Sequence, residues 1–246
     1  PMRLWMTYPM TVIDTIFRAL APALPNKVIA GHHADLVVCM CHGINPKTKE
    51  FFISSFGPQG GGWGAKLSED GVSGTVCIND GDTHNSPNEQ TEVKSPVLVE
   101  RYALIPDSGG PGKFRGGLGV ERVVRARVPM TFNTQIDRVH CKPWGLQGGD
   151  DAMGNSVALE LNGTWKNDFA NAKVLVANLK EGEAFSLRSG GGGGFGDAFE
   201  RPPAQVGQDV RQGYVSVRAA RDQYGVAVDP QTFAVDEAAT EKLRKR

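Results

Sequence analysis

Residues 99–122, VERYALIPDSGGPGKFRGGLGVER, limit what this chain can fold into more than any other stretch. Val99, Tyr102 and Leu104 are strand formers that stop at Pro106, and Val120, Val123 and Val124 resume a strand. Between them lies a glycine-dense loop in which Asp107 and Ser108 turn the backbone with their own side-chain oxygens. Lys113 and Arg115 place two cations inside it. Such a loop on a rigid base can present backbone N–H groups to an anion or to another chain, or it can simply close a tight hairpin.

The glycine count of 31 in 246 residues extends the same theme along the chain. The glycines lie in clusters between apolar runs and have no G-X-Y period, which excludes collagen and points to a loop-rich, sheet-heavy body. Lys plus Arg number 27 and Asp plus Glu number 27, so the charge balance gives no reason to expect nucleic acid or an anionic membrane surface. No apolar run approaches the roughly 20 residues of a membrane span. Cys39, Cys41, Cys77 and Cys141 are few, and two sit one residue apart in an apolar run, which suggests free thiols in a reducing cytoplasm.

In chain order, Thr11 to Asp14 resembles a capping box, and Val12, Ile13, Ile16, Phe17 and Leu20 follow at helical spacing until Pro22. This amphipathic helix offers its apolar face to a core or a subunit contact. Gly31-His32-His33-Ala34-Asp35 offers imidazole and carboxylate donors for a transition metal. On a strand, however, His32 and His33 face apart while His33 and Asp35 share a face and can pair. Cys39-Met40-Cys41 lacks a second cysteine pair at zinc-finger spacing and reads as a buried strand. Residues 60–65, GGGWGA, form a loop anchored by Trp63 or free to close over a pocket.

Residues 80–87, DGDTHNSP, are the densest polar segment. His84 is the best single candidate for acid/base work because an imidazole titrates near neutrality. Asp82 and Asn85 stand within reach of it; a turn held by Asx and Ser side chains is the alternative. Glu89 and Glu92 would share a face on a helical turn, but Pro87 and Pro96 argue for extended chain. Further on, strands are expected over residues 120–128, 132–139, 156–161, 173–176 and 184–187, with Asn162-Gly163 as a hairpin turn. His140 beside Cys141 is no dyad, since adjacent strand residues point apart. Residues 190–196 form a second glycine loop without the Lys-Ser/Thr of a Walker motif. Arg201-Pro202-Pro203 marks a boundary, after which Ser216 and Asp236 cap two short helices, the first stopped by Gly225.

Four segments carry a family resemblance in order: residues 60–71 (GGGWGAKLSEDG), 83–96 (THNSPNEQTEVKSP), 107–119 (DSGGPGKFRGGLG) and 190–226. Together they resemble the hydantoinase B/5-oxoprolinase family over nearly the whole chain, as a C-terminal portion of a B-type subunit. The resemblance implies an ATP-dependent hydrolase of cyclic amides. ATP would phosphorylate the amide oxygen, and water would then attack the activated carbon. It implies a hydantoinase A-type partner holding ATP with Mg, the N-terminal part of the B-type subunit as a second partner, and a divalent transition metal bound outside this fragment. An acetone- or acetophenone-type carboxylase subunit shares the resemblance, and a non-catalytic assembly module is the third reading. The fold expected is α+β: a β-rich body over residues 1–200 with one N-terminal amphipathic helix, and a helical tail over residues 201–246. Residue chemistry and motif position together nominate His84, Asp82 and Asn85 as catalytic, and Asp107, Lys113 and Arg115 as substrate-binding or interface residues.

Overall fold

The computed structural model describes residues 7–76 and 86–245. Among the described residues, nine strands pair in two antiparallel sheets. The first sheet joins β1 (Val38–Ile44), β2 (Phe51–Phe56), β5 (Met130–Gln135) and β8 (Ala177–Leu179) in the order β2-β1-β5-β8. The second joins β3 (Val97–Leu104), β4 (Val120–Ala126), β6 (Ser156–Leu161), β7 (Thr164–Lys166) and β9 (Ala184–Arg188) in the order β3-β4-β9-β6-β7. With helices at both ends the fold is α+β, as its pattern of strand runs predicts.

The two sheets bury their facing sides against one another. Phe132 of the first sheet and Phe185 of the second meet with ring centroids 4.7 Å apart, and Phe56 reaches Phe185 at 5.3 Å. Strand alternation places Cys39 and Cys41 in this core, paired in register with Thr134 and Phe132, while Met40 and His42 point away. The thiols are therefore small core hydrophobes. Asn162 and Gly163, at φ 51° and 75°, close the β6–β7 hairpin, where Leu161 faces Thr164. Both residues have the left-handed backbone that this two-residue turn demands.

Three local expectations need correction. Helix α1 (Thr7–Leu20) begins a turn before Thr11, so Thr11 is inside it, and its carbonyl accepts from the Thr15 hydroxyl at 2.7 Å. Asp14 is buried instead, while Val12, Ile16 and Leu20 are exposed. Helix α2 (Asn88–Lys94) replaces the extended chain around Glu89 and Glu92. Pro87 occupies its N-cap and Pro96 lies past its end, positions where a missing N–H breaks no helical bond. The strand expected over residues 173–176 lies instead at Ala177–Leu179, after a 3-10 turn over Ala170–Ala172.

The glycine loops do not stand free. Residues 30–33, 60–65, 109–117, 144–150 and 190–196 run as loop segments stacked backbone to backbone. Gly192 lies at the centre: its N–H donates to the Gly117 carbonyl at 2.9 Å and its carbonyl accepts from Gly110 at 2.8 Å. Around it, Gly62 donates to Gly190, Ala65 to Gly193, Gly193 to Gly31 and Gly194 to Asp150, all within 3.0 Å. A Cβ on Gly192 would stand 1.8 Å from the Trp63 carbonyl oxygen, so only glycine lets the segments approach this closely. Most N–H groups of the 109–117 loop are thus engaged inside the chain: Gly116 with Gly110, Gly117 with Trp63, Lys113 with Gly196. They do not form an open anion cradle, which corrects that reading of the loop. Trp63 is anchored too, its Nε1 donating to the Val76 carbonyl at 2.7 Å.

After the stack come α3 (Pro203–Arg211), α4 (Val217–Tyr224) and α5 (Glu237–Arg244), around a separate apolar core that includes Val206, Val210, Ala220, Tyr224 and Val226. Ser216 and Asp236 cap α4 and α5 through Ala219 and Ala239 N–H, and Gly225 ends α4 at φ 62°. Helix α3, with Pro202 at its N-cap and Pro203 first inside, was not expected from the sequence.

Candidate functional site

His84, Asp82 and Asn85 lie outside the described residues. Among the described residues, polar chemistry gathers at two places.

The first is a buried polar cluster where α1, residues 30–35, the loop after β5 and the glycine stack meet. Asp14 accepts from the His32 N–H at 3.3 Å and from Trp144 Nε1 at 2.9 Å, and pairs with Arg138 at 2.6 Å. Asp35 accepts from Leu36 N–H (2.8 Å), Asp137 N–H (2.8 Å) and Asn155 Nδ2 (3.2 Å). Asn155 then accepts from Gly190 N–H and donates to the Asp137 carbonyl at 2.9 Å, which ties the cluster to the stack. His33 does not pair with Asp35, as the strand reading expected. Residues 30–35 are a loop, and the His33 ring lies against Gly61.

Both imidazoles are fully buried, 6.3 Å apart between centroids, and no ring nitrogen of either has a hydrogen-bond partner among the described residues. Burial pushes His32 down to about 4, with the Arg138 cation adding to the effect. Burial and then the His32 neighbour push His33 down to about 3. Burial raises Asp35 to about 7 against its N–H donors. The histidines are therefore neutral at physiological pH. The described residues around them do not complete a metal site. Among the described residues no group of three or more His, Cys, Asp or Glu converges. Both Asp35 oxygens already accept N–H bonds, and Arg138 repels a cation from this side. A surface cavity of ≈480 Å³ adjoins the cluster between α1, at Thr15 and Ile16, and the loop carrying Arg138 and exposed Cys141.

The second place is the junction with the C-terminal helices, and it collects the three loop residues. Asp107 accepts from Ser216 N–H at 2.7 Å, the cap of α4. Lys113 is exposed and pairs with Glu200 at 3.2 Å. Arg115 is buried: it donates to the Gly116 carbonyl at 2.6 Å, lies 3.6 Å from Asp209 and stacks over Tyr214 at 5.3 Å. Its neighbour Arg201, 3% exposed, bridges Asp70 (2.7 Å) and Asp209 (2.8 Å). The sequence marked residue 201 only as a boundary. Its signal as an anchor lies in being a lone arginine before Pro-Pro, which no local pattern distinguishes from a surface charge. Asp107, Arg115 and Arg201 face this chain's own elements and Lys113 lies at the exposed rim, so the structure brings Asp107, Lys113 and Arg115 together at the junction between body and tail.

A family model described as Hydantoinase B/oxoprolinase matches residues 4–198. The chain is 30% identical over 95% of its length to the B-type polypeptide of a putative D-/L-hydantoinase from Pseudomonas sp. strain NS671, and covers 38% of that protein. It is 32% identical over 97% of its length to the beta chain of caprolactamase from Pseudomonas jessenii, covering 42% of it. The crystal structure of ATP-dependent caprolactamase from that organism superposes with a TM-score of 0.79 at 28% identity, over 93% of this chain and 40% of the other. A nucleotide-free acetone carboxylase structure gives 0.78 at 25% identity, over 93% of this chain and 35% of the other. The chain thus spans about 40% of the length of these hydantoinase and caprolactamase chains.

Proposed function

Because this chain belongs to the hydantoinase B/oxoprolinase family, we propose that it forms part of the B-type subunit of an ATP-dependent enzyme that opens cyclic amides. The observation that carries this reading is the similarity to the hydantoinase and caprolactamase subunits over 95–97% of the chain. In the proposed reaction the amide oxygen of the ring takes the terminal phosphoryl group of ATP. Water adds to the activated carbon, the ring C–N bond breaks with the nitrogen leaving protonated, and a second water cleaves the resulting acyl phosphate to carboxylate and free phosphate. The uncatalysed amide is a poor electrophile, and phosphorylation removes that obstacle.

In this account the ATP site belongs to a hydantoinase A-type partner. Two observations support that division: the chain has no Walker motif, and most N–H groups of the 109–117 loop are used internally. Any divalent metal is held by residues other than the described ones. Asp82, His84 and Asn85 are the proposed polar groups of the pocket, with His84 moving the proton between water and the leaving nitrogen. Asp107, Lys113 and Arg115 hold the tail on the body and do not touch substrate.

A ketone carboxylase is the second reading, favoured by the near-equal superposition on acetone carboxylase. ATP hydrolysis by the assembled complex separates the two. Stimulation by a cyclic amide is expected; stimulation only by a ketone with bicarbonate would replace hydrolysis with carboxylation.

A further inference from the structure

The C-terminal helices leave a groove of ≈960 Å³ between α4 and α5, beyond the residues 4–198 matched to the family. Its floor is apolar: Val228 is buried, and Val217, Ala239 and Leu243 are half-buried. Its rim carries Arg218 and Arg221, one turn apart on α4, and Lys242 across from them on α5. All three are exposed and have no hydrogen-bond or ion-pair partner among the described residues. Three other cations of this unit are held: Arg201 by two aspartates, Arg244 by the Tyr224 and Arg201 carbonyls, Lys245 by Glu241; Arg211 of α3 is exposed and unpaired among the described residues as well, but does not line the groove. One acid, Asp222, interrupts the rim.

We propose that this groove docks an acidic amphipathic helix of another polypeptide. An apolar floor between two helices accepts the apolar stripe of a third. The rim cations meet carboxylates on the flanks of that stripe, where opposite charge adds specificity and association rate more than raw affinity. Helices α4 and α5 are each eight residues, about 12 Å long, so roughly two turns of the incoming helix fit between them. A second copy of this chain does not supply the occupant. Helix α1 is the described helix with an exposed apolar row (Val12, Ile16, Leu20), but its only acid, Asp14, is buried. The inference is independent of the reaction proposed above.

The test is fluorescence anisotropy of the whole chain with three labelled synthetic helices of about four turns. They share a leucine stripe and carry Glu, Gln or Lys on the flanks. The Glu peptide should bind, more weakly as salt rises, and about 10-fold more weakly to R218E/R221E. The Lys peptide should bind only the reversed variant. Both substitutions are at exposed, unpaired positions, and an unchanged melting temperature verifies the fold. Equal binding of the Glu and Gln peptides, no binding of either, or no effect of R218E/R221E would overturn the proposal. So would displacement by octanoate at the affinity of the Glu peptide, which would assign the groove to small amphipathic anions. Self-association of the chain abolished by R218E/R221E, seen by sedimentation, would assign it to a second copy and overturn it likewise.

Discussion

Replacing Gly192 by alanine tests the physical role of the glycine stack. The new Cβ would lie 1.8 Å from the Trp63 carbonyl oxygen, 2.0 Å from its carbon and 2.5 Å from Gly64 N. These are backbone atoms, so no side chain can swing away. Relief requires the segments to part by on the order of 1 Å. That movement weakens the Gly192–Gly117 and Gly110–Gly192 bonds and the Gly117 bond to Trp63. Loss of two such bonds costs ~1 kcal/mol each, and overpacking adds about 1–3 kcal/mol. The total of about 3–5 kcal/mol is a large share of the roughly 5–15 kcal/mol that holds a domain folded. Gly163→Ala is the comparison. It meets nothing within 4 Å, and its cost is confined to the positive φ of 75°, about 1–2 kcal/mol. In thermal unfolding of the two variants, Gly192→Ala should lower Tm by roughly 10–15 °C and Gly163→Ala by roughly 3–6 °C. A Gly192→Ala variant as stable as Gly163→Ala would refute the close-packed stack.

Arg201→Ala removes the buried bridge between Asp70 and Asp209. It should destabilise the protein by about 3–5 kcal/mol in urea unfolding, because two carboxylates lose their main cation; a cost below about 1 kcal/mol would show the bridge to be ornamental. His33 has its folded pKa depressed from 6.5 to about 3, so between those values the unfolded chain binds more protons. Its contribution to stability is complete above the ordinary imidazole value and is lost as pH falls toward 3. Asp35, raised to about 7, acts in the opposite sense, so the readout is the difference between wild type and His33→Gln. The variant should lose stability less steeply on acidification below 6.5, and identical pH slopes would show that His33 is not buried neutral. His84→Ala, in a complex shown to be fully assembled, should cut turnover ~10²-fold or more if His84 moves the proton; unchanged kinetics would remove it from the chemistry.

The strands were legible where alternation and turn chemistry agree. Ser156–Leu161 and the Asn162-Gly163 hairpin follow from side-chain pattern and from backbone conformations open to few residues. The helix caps Ser216 and Asp236 are read as directly, because a side-chain oxygen must meet a specific N–H. Helix α2 was missed because two prolines suggest extended chain, although at its ends neither opposes a helix. The glycine stack was visible only as composition. Which glycine faces which depends on contacts between segments more than a hundred residues apart, such as Gly62 with Gly190. The same limit applies to the polar residues. Nothing adjacent to Arg115 or Arg201 reveals that both reach Asp209. His33 and Asp35 were paired on the assumption of a strand that the loop at residues 30–35 does not form.

Product analysis of the assembled complex is the most direct test of the proposed reaction. The complex is incubated with ATP and a panel of cyclic amides, including a hydantoin, 5-oxoproline and a lactam, in ¹⁸O-labelled water. The account predicts that one of them yields a ring-opened acid carrying solvent ¹⁸O at its new carboxylate, with phosphate released in step. No ring opening of any amide, with labelled bicarbonate instead fixed into a ketone, would contradict it.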